Sequence, residues 1–290
     1  MEARLIDGRK VAQRLHQRVT EEVAALRSET GIQPGLAVVL VGQDPASEIY
    51  VNAKVRRTKE VGMASFAHHL AEDIAEDELI KTIEALNDNP LVHGILVQLP
   101  LPEHIDQTRV IETINPDKDV DGFTITNTGR LSHGLPCLVP CTPKGCMILI
   151  DEVCDDLEGK VVTIVGCSNI VGRPLIQLML QRNCTVSVAH RFTKDTAAVV
   201  RHADIVVVAA GVPGLIRGDW LKPGAVVIDV GINRINEDGK TRIVGDVAFH
   251  EAVEVASAIT PVPGGVGPMT IACLLANTVD AYRLQLAGTV

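Results

Sequence analysis

Four residues among the first 121 combine a reactive or hydrogen-bonding side chain with a position after a predicted strand or in the loop after the next helix: Tyr50, Lys54, Gln98 and Asp121. Tyr50 and Lys54 are four residues apart in a stretch with helical character, so they share one face of a helix. Gln98 ends an apolar run, and Asp121 lies in the polar loop after the next helix. Together these groups would suit a flat polar heterocycle, since the phenol ring can stack on it and the carboxylate can accept from its N–H groups.

These residues also have ordinary explanations. Lys54 stands among other basic residues and could be a solvated helix lysine, while Tyr50 could be a packing aromatic. A metal is not expected, because Asp117, Asp119 and Asp121 lack the spacing and the closing glutamate of a calcium loop. Taken singly, these residues therefore leave both a ligand-binding role and an ordinary structural role open.

The stretch Val161–Pro174, VVTIVGCSNIVGRP, has the pattern of a phosphate-binding turn. A β-branched run predicts a buried strand, Gly166 ends it, and Ser168 and Asn169 are N-cap candidates for the helix that follows. Free N–H groups and the dipole at a helix start attract a pyrophosphate. Because Ser168 replaces the middle glycine of G-x-G-x-x-G and Gly172 closes the motif, an ordinary turn between strand and helix stays an equal alternative.

The residues after the next strand indicate the type of cofactor. An NAD site places an acid there, about 20 residues past the glycine turn, to hold the ribose hydroxyls. The segment 189–194, AHRFTK, contains no acid, and Arg191 favours a 2′-phosphate through charge-assisted hydrogen bonds. NADP is therefore expected rather than NAD, although a surface arginine would have the same sequence.

Three further segments could bring backbone groups close to a ligand: AAGVPG (209–214), DVGIN (229–233) and ITPVPGGVGPMT (259–270). Small residues in the first two would allow the backbone to approach a nicotinamide or a ribose. The third would present backbone groups to a ligand between two domains, with Pro268 as the N1 residue of the final helix.

Hydrophobic patterning predicts an α/β protein with two domains around a cleft. The N-terminal α/β domain, with a parallel sheet, comprises residues 1–123 plus 269–290, residues 124–139 are a connection, and a Rossmann-type domain spans 140–268. The final helix is expected to pack back on the first domain. Strands are predicted over 36–41, 64–70, 93–98, 161–165, 185–189, 205–209, 226–230 and within 256–263, and helices over 9–28, 48–61, 76–86, 106–113, 170–180 and 269–286.

Composition restricts the class of protein. The chain has 290 residues, 46% of them apolar, and a net charge of −9, which argues against nucleic acid as a partner. No apolar run reaches the roughly 18 residues of a membrane span, and the N-terminal stretch lacks a signal core, so a cytoplasmic protein is expected. The seven cysteines lack zinc-ligand spacing and are expected to be free thiols.

The motifs, taken in order, resemble those of the bifunctional methylenetetrahydrofolate dehydrogenase/cyclohydrolase family. They are SEIYVNAK, GILVQLPLP, PDKDVDGF, PCTPKG, VGCSNIVGRP, DVGIN and TPVPGGVGPMT, and the resemblance covers essentially the whole chain. It implies NADP-dependent oxidation of 5,10-methylenetetrahydrofolate to the methenyl form, followed by hydrolysis to 10-formyltetrahydrofolate. It also implies a homodimer formed through the cofactor domain.

The same resemblance implies a role for each site residue. Lys54, kept partly neutral and tuned by Gln98, would handle the proton in hydrolysis, Tyr50 would position the folate, and Asp121 would anchor the pterin. Leu99, Pro263 and Gly264 would complete the substrate site. The cofactor-binding positions are Gly166, Cys167, Ser168, Arg191 and Ile232.

One departure and two alternatives accompany this interpretation. Many members carry Arg where this chain has Cys167 and Ser where it has Arg191, so the phosphate-binding charge is expected to have moved to the second loop. The alternatives are another two-domain NADP dehydrogenase, of the shikimate or amino-acid type, and a non-enzymatic module that senses NADP.

Overall fold

The computed structural model describes residues 3–237 and 240–288, which divide into two compact units. Of these residues, 3–12 belong with Thr142–Thr270, and Gln13–Cys141 belongs with residues 271–288. We name them the six-stranded unit and the three-stranded unit after their main sheets. The strands are β1 (Arg4–Leu5), β2 (Gly35–Val41), β3 (Ala64–Leu70), β4 (Gly94–Val97), β5 (Val161–Val165), β6 (Thr185–Ala189), β7 (Ile205–Val208), β8 (Val226–Asp229), β9 (Asn233–Glu237), β10 (Lys240–Val244) and β11 (Ala258–Ile259). The helices are α1 (Gly8–Thr30), α2 (Pro45–Glu60), α3 (Glu76–Asp88), α4 (Gln107–Thr113), α5 (Ile125–Ser132), α6 (Cys141–Asp151), α7 (Gly172–Gln181), α8 (Thr196–Val200), α9 (Phe249–Ala252) and α10 (Val266–Ala287), with a short 3₁₀ turn at Gly218–Trp220.

The three-stranded unit contains a parallel sheet in the order β3-β2-β4. All seven residues of β2 are buried, as expected of a central strand covered on both faces. Helix α3 buries Leu79, Ile83 and Leu86, whose spacing puts them on one stripe facing the core. The carboxyl end of β2 leads into α2, which carries Tyr50 and Lys54, and the carboxyl end of β4 leads into a loop that begins with Gln98.

The six-stranded unit contains the order β1-β11-β8-β7-β5-β6, with every neighbouring pair parallel. β7 and β8 are fully buried and supply much of the core. β9 and β10 form a separate antiparallel hairpin after β8. The parallel sheets of both units confirm the predicted α/β class.

The last helix confirms a long-range prediction. From Ile271 onward α10 belongs to the three-stranded unit. There the Asn277 side chain donates to the carbonyls of Val120 and Val139 at 2.7 and 2.8 Å. The Tyr282 hydroxyl donates to Thr30 Oγ1 at 2.8 Å. Apolar residues and buried polar bonds together attach this helix to the rest of the unit.

Several predicted element boundaries are wrong. The segment 124–139 was expected to be a connection but contains α5, capped by the Thr124 side chain, which accepts from the Asn127 N–H. Helix α7 begins at Gly172, not at residue 170, because residues 168–171 form a turn before it. Helix α10 begins at Val266, so Pro268 is not its N1 residue. β1, the hairpin and α9 were not predicted, because these short elements lack the continuous apolar run that marks strands such as β5 and β7.

The predicted domain boundaries and the compact units differ in three places. Residues 3–12 were expected in the first domain but belong to the six-stranded unit. Residues 124–141 were expected in a connection and at the start of the Rossmann-type domain but belong to the three-stranded unit, and residues 269–270 were expected in the first domain but belong to the six-stranded unit. Within the described residues there is no helix able to cross a membrane. The same residues contain no cluster of His, Cys, Asp and Glu side chains arranged to hold a metal.

Candidate active site

The first part of the candidate site joins helix α2 to the end of β4. Asp44 caps α2 by accepting from the Ser47 N–H at 2.8 Å, and the helix then carries Lys54 two turns further on. Lys54 Nζ donates to Gln98 Oε1 at 2.9 Å, and Gln98 Nε2 donates to the Leu99 carbonyl at 2.7 Å. The amide of Gln98 is thus oriented at both ends, and it presents its oxygen to the lysine.

The loop that carries Asp121 is held at both ends by buried groups. Asp119 accepts from the backbone N–H groups of Phe123 and Thr124 at 3.2 and 2.9 Å, and from Asn127 Nδ2 at 3.0 Å. These bonds connect the loop to the first turn of α5. Asp119 therefore fixes the backbone two residues before Asp121.

Lys118 anchors the same loop to a different helix. Its Nζ donates to the carbonyls of Asn87 and Asn89 at 2.6 and 3.0 Å, at the C-terminal end of α3. A cation is favourable at this end of a helix, where carbonyls lack intrahelical partners. Lys118 and Asp119 were not predicted as supporting residues; an isolated lysine between the acids of NPDKDVDGF was the available signal.

Asp121 lies close to Lys54 in a desolvated environment. Burial raises the pKa of the Asp121 carboxyl to about 6, and the nearby Lys54 ammonium opposes part of that rise. The Asp119 charge raises the pKa further, while a hydrogen bond from the Cys141 thiol, 3.7 Å from Oδ1, lowers it. The structure thus brings Lys54, Gln98 and Asp121 together, as the sequence predicted.

Tyr50 and Leu99 border this group. Tyr50 lies one turn before Lys54 on α2 and is 48% exposed, so its ring is available to a ligand and is not a core residue. Leu99 and Asp121 line the same small pocket. Lys59 on the same helix is exposed, whereas Lys54 is partly buried and hydrogen-bonded. The packing explanation of Tyr50 and the solvated explanation of Lys54 are therefore both disfavoured.

The turn after β5 requires glycine at two positions. Gly166 has φ +110°, and a Cβ on it would lie 2.1 Å from the Ala209 carbonyl oxygen. A Cβ on Gly172 would lie 2.1 Å from the Gly166 carbonyl oxygen. Ser168 is not the N-cap of α7 as predicted; the cap is Val171, whose N–H donates to Ser168 Oγ at 3.2 Å. The chain therefore turns tightly at the start of α7, with Cys167 and Ser168 on its accessible side.

The remaining predicted cofactor residues follow β6 and β8. Arg191 is exposed, and its guanidinium lies over the Phe192 ring at 4.7 Å from the centroid. Ile232 is 54% exposed after β8. Pro263 and Gly264, predicted to bind substrate, belong to the six-stranded unit, in the loop before α10 where Gly264 has φ +111°. The structure therefore groups them with the cofactor residues, and their part in substrate binding stays a prediction.

Comparison with known protein families decides the relationship. The tetrahydrofolate dehydrogenase/cyclohydrolase catalytic domain matches residues 6–121, and the NAD(P)-binding domain of the same family matches residues 140–286. The chain belongs to the tetrahydrofolate dehydrogenase/cyclohydrolase family. Its polar cluster lies in the residues that match the catalytic domain, and its glycine turn lies in those that match the NAD(P)-binding domain.

Individual members of the tetrahydrofolate dehydrogenase/cyclohydrolase family match over nearly the full chain. The bifunctional protein FolD of Phenylobacterium zucineum is 56% identical, with 99% of each chain covered. The solved FolD structure from Campylobacter jejuni is 48% identical, covers 97% of this chain and 99% of its own, and has a TM-score of 0.93. The Trypanosoma brucei FolD structure, described as complexed with NADP cofactor and inhibitor, is 39% identical with a TM-score of 0.94 and 99% of each chain covered.

Membership confirms the resemblance predicted from the motifs, and with it the enzyme class. The chain is a dehydrogenase and cyclohydrolase acting on tetrahydrofolate derivatives with a nicotinamide dinucleotide. Neither a shikimate-type dehydrogenase nor a non-enzymatic sensor accounts for a full-length match to both domains of this family.

Proposed function

We propose that this chain oxidises 5,10-methylenetetrahydrofolate with NADP and then hydrolyses the 5,10-methenyl product to 10-formyltetrahydrofolate. The observation that carries the proposal is the hydrogen bond from Lys54 Nζ to Gln98 Oε1, next to the desolvated Asp121 carboxyl. These residues belong to the part of the chain that matches the family's catalytic domain. The relative crystallised with NADP supports the choice of cofactor.

The oxidation requires orientation and no acid or base. A hydride leaves the carbon between two folate nitrogens, and their lone pairs stabilise the resulting cation, so no proton moves in this step. NADP, when bound, supplies the hydride acceptor. The task of this chain's residues is to hold the folate: Tyr50 against its ring, and Asp121 through hydrogen bonds from the N–H groups of the pterin.

The hydrolysis does require proton transfer. Water attacks the methenyl carbon and must lose a proton, one carbon–nitrogen bond then breaks, and that nitrogen gains a proton. We assign the proton transfers to Lys54, because its amine is held by the amide oxygen of Gln98 at 2.9 Å. Gln98 fixes the direction of the amine, and the backbone carbonyl of Leu99 fixes Gln98 in turn.

The residues around the glycine turn fit an NADP molecule. The tight turn at Gly166 and Gly172 leaves room for a pyrophosphate near the start of α7, and Cys167 and Ser168 would contact it. Arg191 would bind the 2′-phosphate, since its guanidinium is exposed and residues 190–194 carry no acid that would repel that phosphate. Ile232 would contact the nicotinamide half, and Pro263 and Gly264 the substrate.

We further propose that the protein is a cytoplasmic homodimer without a nucleic-acid or membrane partner. Seven free cysteines suit a reducing compartment. β6 is the last strand of its sheet within the described residues and has exposed side chains, so it offers an edge for association through the cofactor unit.

A coupled assay tests the proposal directly. The purified chain is mixed with methylenetetrahydrofolate and either NADP or NAD, and reduced cofactor and the methenyl chromophore are followed together. We expect reduced cofactor to form with NADP in preference to NAD, with little methenyl compound accumulating. Failure to reduce either cofactor would refute the dehydrogenase, and full accumulation of the methenyl compound would refute the cyclohydrolase.

A further inference from the structure

Two buried carboxylates lie at the carboxyl end of the six-stranded sheet, and the mechanism above uses neither. Asp229 ends β8 and is 3% exposed, and Asp246 follows β10 and is fully buried. Both belong to the unit that carries the cofactor loops. Burying a carboxylate costs free energy unless its oxygens accept hydrogen bonds. The donors that bond to Asp229 and Asp246 therefore indicate which segments these side chains hold in place.

The partners of Asp246 come from two different loops. Its Oδ2 accepts from the backbone N–H groups of Ala210 and Gly211 at 2.7 and 2.8 Å. Its Oδ1 accepts from Asn233 Nδ2 at 2.7 Å. Gly231 packs so closely that a Cβ there would lie 2.3 Å from Oδ1. One side chain therefore fastens the segment after β7 to the segment after β8.

Asp229 holds Asp246 in place. It accepts from the backbone N–H groups of Gly231, Asp246 and Val247, each at 2.9 Å. Burial raises the pKa of Asp229 to about 6, these three N–H groups oppose the rise, and the neighbouring Asp246 charge adds to it. The backbone on both sides of Asp246 is thereby fixed before its side chain reaches the loops.

The backbone around Asp246 also holds the far end of the loop after β7. The Gly214 N–H donates to the Gly245 carbonyl at 3.1 Å, and the Ile216 N–H donates to the Asp246 carbonyl at 3.0 Å. The loop 209–214 is thus attached at its start by the Asp246 carboxylate and at its end by the adjacent main chain. This loop and Ile232 are the segments expected to border the nicotinamide half of the cofactor.

We infer that Asp246 is a positioning residue for hydride transfer: it sets the loops after β7 and β8 in the arrangement that orients the nicotinamide ring. The inference rests on the proposed function. Asp246 touches neither cofactor nor substrate in this account, and it acts through the backbone of Ala210 and Gly211. Binding of the adenine half is assigned to Arg191, which follows β6 and, within the described residues, has no hydrogen bond to Asp246, so we expect that binding to change little when Asp246 is replaced.

The hydrogen-bond partners of Asp246 also indicate which substitution tests its role most directly. All three groups that face its carboxylate oxygens are N–H donors, so the carboxylate accepts from all of them through charge-assisted bonds. Asp246→Asn preserves the shape but offers a single oxygen without charge. Either the two backbone donors lose their acceptor, or Asn233 must turn its amide over and give up its bond to the Val244 carbonyl. In both cases the connection between the two loops is weakened while the rest of the unit keeps its packing.

The test compares Asp246→Asn with Asp204→Asn in the full chain. Asp204 is a matched control: it also accepts a backbone N–H, from Val161 at 2.9 Å, but it lies at the opposite end of β7. Three quantities are measured: kcat of the dehydrogenase, KM for NADP, and hydrolysis of methenyltetrahydrofolate without cofactor. Hydrolysis depends on Lys54, Gln98 and Asp121 and reports on the three-stranded unit, whereas KM for NADP reports on the folding of the six-stranded unit that contains Asp246.

For Asp246→Asn we expect dehydrogenase kcat to fall about 100-fold, the scale of a misplaced reacting group, while KM for NADP and hydrolysis change less than about threefold. Asp204→Asn should alter none of the three. Unchanged kcat in Asp246→Asn, or a parallel loss of kcat and hydrolysis, would overturn the inference. If the wild-type protein itself reduces no NADP, the proposed function is refuted, and this outcome is distinguishable from a failure of the inference about Asp246.

A milder variant keeps the inference testable if Asp246→Asn does not fold. Asn233→Ala removes one donor and leaves the two backbone bonds of Asp246 intact. We expect it to lower dehydrogenase kcat about fivefold, the scale of one ordinary hydrogen bond, with hydrolysis unchanged. A normal kcat in this variant, with Asp246→Asn unfolded, would show that Asp246 serves folding alone.

Discussion

The cluster of Lys54, Gln98 and Asp121 and the turn at Gly166 rely on different kinds of chemical group. In the three-stranded unit the candidate chemistry lies in side chains: an amine, an amide and a carboxyl held by their neighbours. In the six-stranded unit it lies mainly in the backbone, where glycines allow close approach and Arg191 adds one charge. Acid–base chemistry needs groups that hold protons, whereas binding a dinucleotide needs N–H groups at set positions. Substitutions should therefore separate the two activities.

The largest effect is expected from Lys54→Ala. Removing the amine should lower methenyl hydrolysis about a thousandfold at pH 7, within the range of general acid–base catalysis, while NADP binding persists. The measurement is decay of the methenyl chromophore, with cofactor binding followed by fluorescence. Lys59→Ala, on the same helix and exposed, is the matched control. Unimpaired hydrolysis in Lys54→Ala would reject the role of the lysine.

Asp121 should produce the next largest effect, because it belongs to the same cluster but binds and does not transfer protons. Asp121→Asn should raise KM for methylenetetrahydrofolate about 30-fold, the scale of hydrogen bonds to a charged group. Since the pKa of Asp121 is raised to about 6, wild-type kcat/KM should fall as the pH drops below 6 and the carboxyl takes up a proton. The variant should lack this limb of the pH profile, and an identical limb in both proteins would contradict the assignment.

Arg191, in the six-stranded unit, should affect cofactor binding without affecting hydrolysis. Arg191→Glu should raise KM for NADP about tenfold more than KM for NAD, because only NADP carries the 2′-phosphate. Hydrolysis should not change, since that step uses no cofactor. Arg201→Glu, another exposed arginine of the six-stranded unit, is the control. Equal loss of both cofactors would count against the phosphate contact.

The contrast between the units also explains what the sequence could predict. Lys54, Gln98 and Asp121 lie close together, as predicted, because continuous apolar runs marked β2 and β4, and the carboxyl ends of neighbouring parallel strands share an edge of the sheet. The main strands were predicted to within one residue for the same reason. The start of α7 was wrong, because Ser168 and Asn169 have N-cap propensity and the tight turn at Gly172 overrides it.

Supporting residues were the least predictable. Lys118 and Asp119 act through bonds to residues far along the chain, such as Asn87 and Asn127, and no local pattern encodes those pairs. The same holds for Asp246, whose partners at 210, 211 and 233 come together only after β7 and β8 are adjacent. Helix α5 was missed because its sequence is rich in Thr, Asn and Gly, which are poor helix formers, and tertiary contacts through Asn127 compensate.

The smallest effect is expected from His93, which belongs to the three-stranded unit but to its core and not to its site. Its Nδ1 accepts from the Gly35 N–H at 3.0 Å, and its ring packs edge-on against Tyr282. Burial, and to a lesser degree the Lys118 charge, lower the pKa of His93 to about 4. The folded state therefore binds this proton less readily than the unfolded chain does.

The sign of the pH dependence follows from that pKa. A histidine with a folded pKa of about 4 and an unfolded value of 6.5 stabilises the fold above pH 6.5, and the stabilisation is lost as the pH falls toward 4. At pH 5 the loss amounts to at most about 2 kcal/mol. His93→Asn keeps an acceptor for Gly35 and cannot titrate, so its free energy of unfolding should fall less between pH 7.5 and pH 5 than that of wild type. Urea unfolding of both proteins at the two pH values measures the difference, and His104→Asn, an exposed histidine of the same unit, should behave like wild type. Because Asp121 is present in all three proteins, its own titration cancels from the comparison, and equal slopes for His93→Asn and wild type would show that the core histidine does not couple proton binding to folding.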